Sequence, residues 1–285
     1  MSSTYISLLI SVIAGLLYKN NKALFGAIIA TNLIGLYSGI INLTGALSIG
    51  VLAALTFLHS RPATKNKILK TALFIGVITV TAGLAFHAIP GFFNTLIADK
   101  IQISDLSCPF SMYLNFDKVM AALIIYSMTN LHEVECQTSA RISKQNIILI
   151  LLSIITITAI AYSIGYIKLN PKLPDILPIW AINNLFFVCF AEEVMFRGFI
   201  QRKIGTALSQ YKRIPHLNII ITSLLFGAIH LKGGIEYVAL ASVASFCYGY
   251  IYYKTNRILW SMFAHFGVNL CHIILFTYPA PVGMC

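Results

Sequence analysis

Long apolar runs decide what this chain can be. Ten of them follow one another, at roughly Ser3–Tyr18, Ala23–Asn42, Thr44–His59, Leu69–Ile89, Val119–Leu131, Asn146–Ile167, Ile179–Ile200, Leu217–Leu231, Glu236–Tyr253 and Ile258–Tyr278. Several reach or approach the ~20 residues that cross a bilayer as helix. A soluble chain needs about a quarter of its residues charged to cover its surface. Here the share is 10%, with mean hydropathy +0.82. Strict apolar/polar alternation is absent, which excludes a transmembrane barrel. The expectation is an all-α, polytopic transmembrane helical bundle of about 8–10 spans, the range reflecting the shortness of the first, third, fifth and eighth runs.

The formal net charge of +11 does not indicate a nucleic-acid partner. The basic residues sit between apolar runs, where they set topology and meet anionic lipid headgroups. One set of alternate loops holds Lys19 and Lys22; Arg61, Lys65, Lys67 and Lys70; Arg141 and Lys144; Arg202, Lys203, Lys212 and Arg213; Lys254 and Arg257. The other set holds only Lys100, Lys118, Lys168, Lys172 and Lys232. The positive-inside rule makes the first set cytoplasmic and puts both termini outside. The cysteines Cys108, Cys136, Cys189, Cys247, Cys271 and Cys285 form no CxxC pair, so neither a disulfide framework nor a zinc knuckle is implied. Gly91–Asn115 mixes Phe92, Phe93, Leu96 and Ile97 with Asp99, Lys100 and Asp105, and reads as an interfacial amphipathic segment and loop. Asn115-Phe116-Asp117-Lys118 reads as a cap at the membrane surface. Residues 1–117 therefore form an N-terminal set of spans with an interfacial segment and no assigned function. Residues 118–285 form the part that carries chemistry.

That chemistry begins at Glu192 and Glu193. The chain has nine acidic residues, and these two alone lie well inside an apolar run. A charge at membrane depth costs at least ~2.5–3.5 kcal/mol, so such a group marks function by default. On an α-helix Glu193 and Arg197 are neighbours at i,i+4, acid before base, the favourable order. Glu192 is turned ~100° away. It has no partner on its own helix and is placed to act as a general base. The bland alternative is that both glutamates bind Arg197 as helix-packing glue.

Two further runs carry polar groups. Phe226-Gly227-Ala228-Ile229-His230 sets an aromatic ring one turn before an imidazole, and Gly227 admits a closely packed helix. His265 and Asn269 share a face, giving a second imidazole and an amide that both donates and accepts. Taken singly, His230 reads more readily as a hydrogen-bonded structural residue, and the His265–Asn269 pair is ambiguous. Together with the glutamates they suggest a hydrolytic centre, with a carboxylate activating water and imidazole and amide groups stabilising an oxyanion. The same atoms also make a His₂Glu set, Glu192, His230 and His265, suited to zinc with an open position. The absence of HExxH weighs slightly against the metal. His272 lies on a face similar to that of His265, and Asn184 on one similar to that of Glu192. For both, a structural hydrogen bond is the favoured reading and contact with the site the alternative.

EExxxR at Glu192–Arg197, FxxxH at Phe226–His230 and HxxxN at His265–Asn269, in that order, resemble the CPBP family of intramembrane endopeptidases. That family includes type II CAAX prenyl proteases and bacteriocin self-immunity (Abi-like) proteins. Flanking text agrees: Phe196-Arg197-Gly198, Gly249-Tyr250-Ile251-Tyr252 and Ile258-Leu259-Trp260. The resemblance covers about Ile179–Ile274. It implies peptide-bond hydrolysis near the C-terminus of a membrane-tethered protein or peptide, in a cavity open to membrane and cytosol, here in a prokaryotic inner membrane. It implies Glu192 as water-activating base with His230 as partner, His265 and Asn269 as the oxyanion pair, and Glu193, Arg197 and Phe226 in support. The family is described both as metalloproteases and as glutamate-dependent enzymes; the metal-free form is favoured, with no cofactor required and zinc the alternative. The rival readings are a secondary transporter, whose paired Gly/Pro interruptions are not found here, and a non-catalytic immunity or scaffold protein.

Overall fold

The computed structural model describes residues 2–17, 21–61, 64, 66–105, 107–129, 131, 143–209 and 216–283. Its helices are α1 (Ser3–Leu17), α2 (Asn21–Tyr37), α3 (Leu43–Ser60), α4 (Lys67–Ala85), α5 (Phe116–Met128), α6 (Lys144–Ser163), α7 (Leu177–Ala207), α8 (Leu217–Ala228), α9 (Ile235–Thr255) and α10 (Ile258–Leu275). Each corresponds to one apolar run. Five, namely α3, α4, α6, α7 and α10, are long and apolar enough to cross a membrane. The apolar helices α1, α2 and α8 are shorter.

Exposure agrees with a lipid setting. In α6, the most apolar of the five, only 17% of the spanning window is buried, and Leu151, Leu152 and Ile155 stand open. Such a surface is stable against hydrocarbon and not against water. The protein is an all-α, integral multi-pass membrane protein.

Loop residues set the helix limits. Asn42 caps α3 through Gly45 N, Asn66 caps α4 through Ile68 N and Leu69 N, and Ser143 caps α6 through Asn146 N. α9 ends on Asn256 in the left-handed region. The segment Gly91–Asn115 departs from its expected texture. It holds two paired strands, β1 (Thr95–Ile101) and β2 (Phe110–Leu114), burying Ala98, Met112 and Leu114. Their alternation is too short and too broken by charge to be recognised in sequence. The cysteines also differ from expectation. Cys108 is disulfide-bonded, with its partner outside the described residues, while Cys189, Cys247 and Cys271 are free. Isolated cysteines without a spacing pattern still meet in three dimensions.

The chain packs as two units that interleave in sequence. Unit 1 takes Met1–Leu96, Tyr113–Gln137 and Phe186–Met195; unit 2 takes Ile97–Met112, Thr138–Leu185 and Phe196–Cys285. The core of unit 1 is α5, buried from Phe116 to Ser127 apart from a partly covered Lys118. Its 13 residues suit a core helix better than a span. Hydroxyls tie α1 to α2 and the turn that follows it, Ser7 to Thr31 at 2.7 Å and Thr4 to Ser38 at 2.6 Å. Unit 2 packs α6, α8, α9 and α10 with the two ends of α7.

Candidate active site

The local conformation of α7 sets the acid pair apart. Glu192 and Glu193 stand on a single α-helical turn, Phe190–Glu193, between two π-helical stretches, Asn184–Cys189 and Val194–Gln201. Such wide turns are rare and recur at functional sites. Both stretches depart from the 3.6-residue register on which periodicity along an α-helix is read.

In unit 1, Glu193 is fully buried and Glu192 partly so. Lys118 Nζ donates to Glu192 Oε1 at 2.6 Å. This charge-assisted bond comes from α5, which helix periodicity along α7 could not reveal. Lys118 is held in turn by its neighbours. Asp117, 1% exposed, accepts from Asn94 Nδ2 at 3.1 Å and lies 2.7 Å from His87 Nδ1. Asn94 Oδ1 accepts from Phe116 N, and Asp117 Oδ1 from Lys118 N. The cap expected from Asn115 is therefore made otherwise: its own side chain makes no capping bond. A residue read as surface punctuation instead presents a cation to the glutamate.

Unit 2 gathers Phe226, His230, His265, Asn269 and Arg197. His230 lies just past the end of α8, and its Nδ1 donates to Phe226 O at 2.7 Å, since a carbonyl only accepts. In the neutral ring this leaves Nε2 as the acceptor. His265, 6% exposed, stacks on Tyr248 at 4.8 Å and 15°. Phe226 meets both imidazoles, His230 at 4.6 Å and His265 at 5.9 Å. Behind these rings sits Arg197, 0% exposed, with its guanidinium carbon 5.0 Å from the centre of Phe226 and 5.5 Å from that of Tyr248. Its Nη2 donates to Ser245 O and Ser245 Oγ, each at 3.0 Å. The arginine thus fixes the two rings on which the imidazoles rest. Gly227 permits this packing: a Cβ there would collide with Ser242 Oγ and lie 2.7 Å from Val238 O, both on α9.

Phe226, His230, His265 and Asn269 line a cavity of about 90 Å³, together with Tyr237, Tyr248 and His272. That is room for about three waters. Asn269 Nδ2 donates to Asn184 Oδ1 at 3.1 Å, the helix–helix bond favoured for Asn184, and this orients the amide. His272 does line the cavity, and its Nε2 donates to Thr277 O at 2.9 Å. On the cavity wall Tyr166 stacks on Tyr237 at 5.8 Å; burial, then the nearby Glu236, pushes the Tyr166 phenol up. Imidazole, amide and ring edges around a few waters make a pocket that can hold a carbonyl and stabilise charge developing on its oxygen.

Among the described residues no acidic side chain lines this cavity, so its wall offers three imidazoles, His230, His265 and His272, and no carboxylate for a His₂Glu set. Among the described residues, no three His, Cys, Asp or Glu side chains are assembled for a metal ion. The sequence reading missed Lys118, Tyr237, Tyr248 and Ser245. Only Tyr248 left a trace, next to the aromatic stretch that begins at Gly249.

Among known families, the model for "Type II CAAX prenyl endopeptidase Rce1-like" matches residues 174–271. No curated protein and no solved structure gave a match. The matched stretch, about a third of the chain, contains both glutamates together with Arg197, Phe226, His230, His265 and Asn269, and so agrees with the family that the three motifs resemble.

Proposed function

We propose, on the premise that residues 174–271 belong to the Rce1-like type II CAAX prenyl endopeptidase family, that this protein is a glutamate-dependent intramembrane endopeptidase. Its substrates are membrane-tethered proteins or peptides, CAAX-like or bearing another C-terminal signal, in a prokaryotic inner membrane. The observation that carries the reading is the small polar cavity of unit 2, with His230, His265 and Asn269 on its wall. Residues 118–285 are the catalytic part; 1–117 support it without an assigned role.

In this reading Glu192 takes a proton from water as the water oxygen bonds to the scissile carbonyl carbon. Its partner His230 orients the water through Nε2, the nitrogen left by the bond from Nδ1 to Phe226 O. His265 and Asn269 donate to the oxyanion. The C–N bond then breaks, and the proton held by Glu192 passes to the leaving amine. Phe226 and Arg197 hold the imidazoles, and Glu193 supports the helix. No metal takes part, zinc on Glu192, His230 and His265 being the alternative.

General-base catalysis contributes ~10²–10⁴-fold. Glu192→Gln is therefore expected to fold like the parent in detergent and to cut a membrane-tethered peptide at least ~10²-fold more slowly. Cleavage at the parental rate would sink the reading. Dialysis against a strong chelator followed by metal analysis decides the alternative: a metal-free protein with full activity supports the glutamate form, and activity lost on chelation and restored by zinc supports the other.

A further inference from the structure

α10 brings three polar side chains to one face. His265, Asn269 and His272 stand at i, i+4 and i+7, and all three line the cavity of unit 2. The first two serve the oxyanion in the reading above. His272 has no role there.

Its ring is held on two sides. Nε2 donates to Thr277 O at 2.9 Å, and the ring of Tyr278 meets it edge-on at 5.1 Å. Both supports are themselves tied down. Thr277 is buried; its N donates to Lys168 O at 2.9 Å, and Lys168 N donates to its Oγ1 at 3.1 Å. Tyr278 Oη accepts from Trp180 Nε1 at 3.0 Å. A carbonyl only accepts, so the proton of the neutral ring sits on Nε2 and Nδ1 is an acceptor. That Nδ1 makes no hydrogen bond among the described residues, yet it is not one of the side-chain atoms sealed from solvent without a partner. It is therefore open to water in the cavity.

The rest of the wall decides what such an acceptor can serve. Among the described residues it carries no carboxylate, ammonium or guanidinium, so a charged group would find no counter-charge there. Thr158 spends its hydroxyl on Ile154 O. Ile157, Ala161, Leu240 and Val268 add apolar surface. Two imidazole acceptors, His230 Nε2 and His272 Nδ1, and the Asn269 amide thus border a neutral space. A neutral group that both donates and accepts suits it. The peptide unit is such a group, and once buried its N–H must find an acceptor. Asn269 and His272 are ~4.5 Å apart along the axis at ~1.5 Å per residue, and an extended chain advances ~3.3 Å per residue. A carbonyl received by Asn269 and an N–H received by His272 then lie within two residues of each other.

We propose that His272 is a substrate-binding residue whose Nδ1 accepts a backbone N–H of the peptide, within two residues of the carbonyl that Asn269 receives. The site then selects an extended segment with an unsubstituted amide at that position, and rejects proline or an N-methylated residue there. This rests on the endopeptidase reading, which makes a peptide the ligand.

The test removes one N–H at a time from the substrate. A lipid-anchored, CAAX-like fluorescent peptide is made with an N-methyl group at each successive position, and cleavage by the full-length protein is followed in detergent. An acceptor left unpaired by the missing N–H should slow the parent at least ~10-fold at one position. In His272→Leu that penalty should largely vanish. His272→Asn, whose Oδ1 stands near the place of Nδ1, should keep most of it. Both variants give up the bond to Thr277 O, so a purely structural role would affect them alike; an equal penalty in the two overturns the proposal. A parental protein indifferent to every N-methyl group overturns it as well. Binding of the same peptides to Glu192→Gln, with and without His272→Leu, is read by fluorescence anisotropy and needs no turnover. If the parent does not cut, while binding shows the discrimination and His272→Leu abolishes it, the endopeptidase reading fails and the role of His272 stands. If the parent cuts and no position depends on His272, the role of His272 alone fails.

Discussion

Arg197 and Lys118 are two cations with opposite tasks. Arg197 is sealed, its Nη2 bonded to Ser245 and its flat face against Phe226 and Tyr248. An ammonium cannot reproduce a planar fork. Arg197→Lys is expected to lose a charge-assisted bond, to destabilise by about 1.5–3 kcal/mol and to reduce cleavage as the imidazoles lose their backing. A thermal midpoint in detergent equal to the parent's would contradict this. Lys118 is a positioning residue: its Nζ donates to Glu192 Oε1. Lys118→Met should slow cleavage while Lys118→Arg recovers most of it, because a cation at that point is what matters. Equal loss in both variants would mean that Lys118 serves packing only. The glutamate pair, both histidines and Asn269 were legible in sequence because polar groups inside apolar runs are costly and therefore stand out. Lys118 was not legible. A lysine at the edge of a run costs little, and its partner lies on a helix distant in sequence.

The helices show the same division between what composition reveals and what packing decides. Every apolar run became one helix, with limits near the Asn, Ser and Pro residues that border it. The π stretches of α7 left no trace in sequence, since they depend on what surrounds the helix. Gly227 was read correctly as a point of close approach, because only a missing side chain lets α9 come so near. Gly227→Val is therefore expected to overpack α8 against α9 and to destabilise by about 1–3 kcal/mol. Gly26, in α2, faces open space: a Cβ added there would have nothing within 4 Å. Gly26→Ala should leave stability unchanged or raise it by up to about 1 kcal/mol. A thermal-shift assay on the two variants checks both, and equal behaviour would contradict the packing argument. The hairpin escaped notice for the converse reason: its seven- and five-residue strands carry Asp99 and Lys100 in the pattern, and pairing compensates for what the pattern lacks.

At the scale of the whole molecule, a sequence with 10% charged residues could only be a membrane protein, and its few charges divide the work. Those between runs orient the chain, and those within runs mark the chemistry. The division into interleaved units was not legible, because it depends on which helices touch; α7, a single apolar run, supplies residues to both. The central claim is that a carboxylate on α7, and not a metal, activates water for peptide hydrolysis. It is tested most directly by purifying the parent and Glu192→Gln, removing metal from both, and following cleavage of one membrane-tethered peptide. The account predicts full turnover by the metal-free parent and a rate at least ~10²-fold lower for the equally folded variant. An inactive metal-free parent, or a variant that cuts as fast as its parent, would contradict it.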